Sequence, residues 1–148
     1  VSGSCALDHT SLYGLYHGRL DFFHGRYIKA DTKEDLEKLA ESSDVPVQMI
    51  PSWTDEGLVL QLKYFSTPWA KTSLWMMLPE EKGEDGKMKE KEMQTNGKGE
   101  VLIGKLEPGT YYFSTRIVED DPAGAFENQA YKGLMHGSTL ILKLGNGF

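Results

Sequence analysis

From Gly57 to Phe65, Leu58, Leu60, Leu62 and Tyr64 alternate with Val59, Gln61, Lys63 and Phe65. Side chains along a strand point to opposite faces in turn, so this period of two marks a strand with one face in a core. Thr72 to Leu78 repeats the pattern, with Leu74, Met76 and Leu78 on one face and Trp75 and Met77 on the other, which predicts cover on both faces. Further strands are expected at Glu100–Lys105, Thr110–Val118 and Ser138–Leu144. Val45–Ile50 reads as an edge strand, because Pro46 cannot donate to a ladder. Leu12 to Lys29, aromatic and punctuated by glycine, reads as two strands broken by turns or bulges. Lys87 to Gln94 alternates in charge and is either a polar edge strand or a weak helix. Asn96-Gly97 within Thr95–Gly99 predicts a hairpin turn.

One helix is expected, over residues 32–42. Thr32 can cap it through Asp35, acids crowd its first turn, and Leu36, Leu39 and Ala40 form its apolar stripe, with Ser42-Ser43-Asp44 ending it. Seven to eight short strands and one helix predict a mainly β chain, folded as an antiparallel β-sandwich. Its 148 residues fit one domain, with residues 1–11 as a flexible lead-in.

Gly97 to Val118 contains Leu106-Glu107-Pro108-Gly109-Thr110-Tyr111, followed by apolar side chains at Phe113 and Ile117. This stretch resembles the corner before the penultimate strand of immunoglobulin-like and prealbumin-like sandwiches. The resemblance implies a tyrosine corner at Tyr111, whose ring packs under the turn while its hydroxyl bonds nearby backbone. It covers about 22 residues and carries over no catalytic residue. The paired cysteines of immunoglobulin domains are absent, and Trp69 or Trp75 is the expected core tryptophan.

The net charge is -6, from 16 basic and 22 acidic residues, and Lys and Arg form no patch or stripe. Nucleic-acid binders concentrate positive charge, so no nucleic-acid partner is expected. The longest apolar run, Leu74 to Leu78, is far too short for a transmembrane segment. Cys5 is the sole cysteine, which rules out an intrachain disulfide and leaves it lipidated, free or paired with another chain. Ser4-Cys5 resembles a bacterial lipoprotein processing site, although Ser2 stands where a Leu-like residue is preferred. An extracellular, periplasmic or cell-surface location is the resulting expectation.

The four histidines include His17 and His24, each followed by Gly-Arg and seven residues apart, and His136 beside Met135. With six methionines, they raise a copper or zinc site at His17, His24 and His136, since imidazole and thioether suit copper. No Cys-x-x-Cys or His-x-His spacing supports it, and an odd offset puts His17 and His24 on opposite faces of a continuous strand. Glu119-Asp120-Asp121 raises calcium, without the EF-hand spacing. No Gly-x-Ser-x-Gly elbow is present. Residues 119–137 read as a long connection, and long loops tend to be functional. Phe126, Asn128, Tyr131 and His136 are its candidate binding residues.

These features point to a non-catalytic extracytoplasmic binding or assembly module. It would present loops to a protein or glycan partner, or a sheet edge to copies of itself. A periplasmic or secreted metal-binding protein and a small enzyme with a scattered site are the alternatives.

Overall fold

A computed structural model describes residues 3–40 and 45–148. The elements in chain order are β1 (Cys5–Tyr16), β2 (Arg19–Thr32), α1 (Lys33–Leu39), β3 (Val47–Thr54), β4 (Gly57–Tyr64), β5 (Thr67–Pro68), β6 (Ser73–Lys82), β7 (Met88–Gln94), β8 (Glu100–Gly104), β9 (Gly109–Phe126) and β10 (Gln129–Gly147). They form a β-sandwich. A six-stranded sheet runs β1-β2-β10-β9-β6-β7, and in a four-stranded sheet β4 lies between β3 on one side and β5 and β8 on the other. Among the described residues, no helix is long and apolar enough to cross a membrane.

Neighbouring strands pair antiparallel except β2 and β10, which run parallel in the interior of the larger sheet. Their register sets Phe22 opposite His136, His24 opposite Ser138 and Ile28 opposite Leu142. Side chains alternate between faces, so Ile28, Phe113, Leu140, Leu142 and Leu74 point inward from this sheet. They meet Val47, Met49, Leu58, Leu60 and Leu62 of the other sheet in a single core cluster. The alternation anticipated for β4 thus becomes the four buried side chains Leu58, Leu60, Leu62 and Tyr64.

The helix joins the two sheets at one end. Thr32 Oγ1 accepts a hydrogen bond from the Asp35 amide at 3.1 Å, as the capping pattern predicts, and Leu36 is buried in the core. Its anticipated end at Ser42–Asp44 lies outside the described residues. At its described end, the buried Arg26 guanidinium donates to the carbonyls of Leu39 at 2.6 Å and Ala40 at 3.4 Å, and sits 3.0 Å from Asp8 Oδ1. A cation is favoured there, where helix carbonyls lack amide partners.

Three expectations change. Residues 5–11 are not a lead-in but most of strand β1, because Ala6 and Thr10 follow β2 in register and Ala6 packs against the core. Asn96-Gly97 does not close a hairpin. Thr95 to Gly99 carries the chain from β7 in one sheet to β8 in the other, with Asn96 Oδ1 accepting from the Lys98 and Glu100 amides at 2.9 Å each. Residues 119–137 are also not a loop. β9 and β10 continue beyond the sheet as a two-stranded ribbon that turns at Glu127 and Asn128. Both turn residues have positive φ, 49° and 65°, as a two-residue type I′ hairpin requires. Asn tolerates that region, and the Tyr131 ring fixes the ribbon by lying on Gly124, where a Cβ would stand 2.7 Å from the Tyr131 hydroxyl.

The corner anticipated before β9 is present: Tyr111 Oη donates to the Glu107 carbonyl at 2.6 Å. Burial and then the charge of Glu107 hold this phenol above its ordinary pKa.

Phe113 fills the centre of the sandwich with no exposed surface. Its replacement by alanine is expected to cost about 3–5 kcal/mol in urea unfolding, with an unchanged m-value. A loss below about 1 kcal/mol would mean that the two sheets do not meet around this ring.

Candidate functional site

The inner face of the larger sheet is not wholly apolar. β1 brings Thr10 opposite His24, and β9 brings Ile117 opposite His136. Thr10 Oγ1 lies 3.1 Å from His24 Nδ1, and His24 Nε2 lies 2.9 Å from His136 Nδ1, with the two ring planes within 15° of parallel. Phe22 stacks on His136 at 4.9 Å, and the Tyr64 and Phe65 rings approach it at 5.4 and 6.0 Å. The Tyr64 hydroxyl donates to Glu119 Oε2 at 3.0 Å, which closes this end of the sandwich.

Electrostatics keeps the pair neutral. Burial, and then repulsion from His136, pushes His24 down to about 4. Burial also lowers His136, with the Glu119 carboxylate opposing it. Tyr64 is pushed up to about 12, first by burial and then by its bond to Glu119. A neutral imidazole has one N–H and one acceptor nitrogen, so a single proton direction runs through Thr10, His24 and His136 in either tautomer.

Of the three histidines anticipated as metal ligands, two converge and one does not. His17 stands exposed in the β1–β2 turn with φ 49°, edge-on to Tyr16. His24 and His136 spend their facing nitrogens on each other, and among the described residues no group of three or more His, Cys, Asp or Glu could hold a metal ion.

Of the anticipated binding-loop residues, Phe126, Asn128 and Tyr131 share the ribbon and His136 does not. His136 is buried in the core face, Tyr131 lies half-buried on the ribbon, Phe126 ends β9 and Asn128 is exposed at the turn.

A different feature occupies the outer face of the six-stranded sheet. Reading across the strands, His9, Gly25, Thr139, Ser114 and Trp75 stand opposite one another in a row. Between the His9 and Trp75 ends the row carries only small side chains, so it forms the floor of a trough. One bank is the parallel row of Leu7, Tyr27, Ile141, Tyr112 and Met77. The other carries Phe23 and Arg116, with Gly137 between them. Gly137 leaves room for the Phe23 ring there, since a Cβ would stand 2.8 Å from it.

Two depressions open along this trough and share Thr139. The larger, about 430 Å³, is lined by Phe23, Trp75, Glu90, Ser114 and Arg116 among others. The smaller, about 290 Å³, lies at the β1 end against Leu7, His9, Gly25 and Tyr27. With strands about 4.8 Å apart, the floor from β1 to β6 is about 19 Å long. Motif reading missed these residues because they are spread over five strands. The available signal was Gly25 and Gly137, each directly after a histidine in strand-like sequence.

The comparisons with known proteins name no relative: the chain matches no protein-family model, no curated protein and no solved structure.

The histidine pair carries a pH signature. In the folded chain His24 stays neutral down to about 4, whereas an unfolded histidine titrates near 6.5. The unfolded state therefore binds more protons between those values, and stability rises with pH across that window. Unfolding free energy is expected to fall by about 1–3 kcal/mol from pH 7 to pH 4 through this group, and His24→Gln should flatten that part of the profile. Identical pH profiles for the two proteins would remove the buried pair as the cause.

Proposed function

We propose that the domain is a non-catalytic, extracytoplasmic recognition module that binds a linear glycan along the trough on its six-stranded sheet. The observation carrying this reading is the row of small residues Gly25, Thr139 and Ser114, sunk between Phe23 and Trp75. Aromatic side chains offer apolar area to the C–H faces of a sugar ring, while Arg116 and Glu90 offer charged hydrogen-bonding groups to its hydroxyls.

The backbone of the trough favours a glycan over an extended peptide. β2, β10 and β9 each have partners on both sides, so their amides and carbonyls are already engaged. A peptide that binds by strand addition needs a free edge. A ligand held by side chains alone does not.

Screening the protein on a glycan array, followed by calorimetric titration with the oligosaccharides retained, tests the reading. Trp75→Ala and Phe23→Ala are each expected to weaken binding by about tenfold or more while leaving the melting temperature within a few degrees. Absence of any retained glycan, or affinities untouched by both substitutions, would overturn it.

A further inference from the structure

The two edges of the six-stranded sheet are built differently. β7 exposes Lys89, Glu90, Lys91 and Glu92, charges that oppose pairing with another chain. β1 is a 12-residue strand on the opposite edge. From Ala6 to Leu12 its only formally charged side chain is Asp8, and it has no proline. Leu7 and Leu12 on it are 66% and 44% exposed. A long edge with exposed apolar side chains and little charge is a template for another strand.

We infer that β1 pairs antiparallel with β1 of a second copy of this chain, about a two-fold axis at His9, to make one continuous twelve-stranded sheet. The register follows from three constraints. Residues directly opposite in an antiparallel pair share a face, so the axis passes through a residue. An axis at Asp8 would set two carboxylates face to face. An axis at Thr10 would run the pairing into the irregularity between Leu12 and Gly14.

The axis at His9 avoids both. It uses Ala6 to Leu12 in full, sets Leu12 opposite Ala6 of the second copy, and sets Asp8 opposite Thr10 of the second copy. Asp8 keeps its ion pair to Arg26, which lies on the same strand pair within one subunit. Pairing of this kind is self-complementary and closes as a dimer, not a fibre.

The same register aligns the troughs. His9 ends the floor row in each copy, so the two rows meet end to end at the axis. A single trough then crosses ten strands, from Trp75 of one copy to Trp75 of the other. The pairing itself depends on the β1 edge and not on what the trough binds.

Two measurements on the full chain test this. Sedimentation velocity across a concentration series is expected to show a monomer–dimer equilibrium that Leu7→Lys shifts to monomer. Should circular dichroism show Leu7→Lys misfolded, Ser11→Lys, exposed on the same strand, replaces it. In a Cys5→Ser background, His9→Cys is expected to form a disulfide dimer at least about tenfold faster than Ser11→Cys, because residues facing across the axis have Cα atoms within disulfide range. A monomer at every concentration up to the solubility limit would overturn the proposal. Equal crosslinking of the two cysteine variants would overturn the register.

Discussion

The parallel pairing of β2 with β10 is the constraint on which the rest of the molecule depends. These strands lie more than one hundred residues apart in sequence and are neighbours in the interior of the larger sheet. Their register puts Ile28 and Leu142 into the core, sets His24 beside His136, and leaves Gly25 beside Thr139 on the other face. A slip of one residue would invert all three, because side chains alternate strictly between faces. The core thereby fixes the register, and the register fixes both candidate sites.

One sequence element serves both faces at once. His24-Gly25 and His136-Gly137 each send an imidazole inward and leave a bare backbone outward. The inward imidazoles satisfy each other and Thr10, which makes a buried polar group tolerable in a core. The outward glycines deepen the trough and let Phe23 lie against β10. Polar specification of the register and concavity of the outer surface thus come from the same two dipeptides.

Much of the fold was legible in the sequence because it rests on local pattern. The alternation in β4, the Thr32 cap and the Tyr111 corner are each written within a few residues and appear where expected, whereas Trp75 and Met77 of β6, expected under cover, stand on the outer face of the sheet. The site was legible only in part. His24 and His136 were picked out together with His17 as one metal set, but the contact between the two is made by strands far apart in the chain, and His17 falls in the β1–β2 turn rather than on the strand face. The ribbon of residues 119–137 was hidden because its turn is Glu-Asn rather than Asn-Gly, and because Pro122, Gly124 and Gly133 resemble loop punctuation. The trough had no motif at all, since its floor is assembled one residue per strand.

The proposed ligand recognition belongs to the outer sheet face and not to the ribbon tip. Amide chemical-shift mapping by NMR during titration with a glycan mixture tests it most directly. Perturbations are expected to cluster at residues 23–27, 112–116, 137–141 and at Trp75. Perturbations confined to residues 123–130, or to the strands of the smaller sheet, would contradict it.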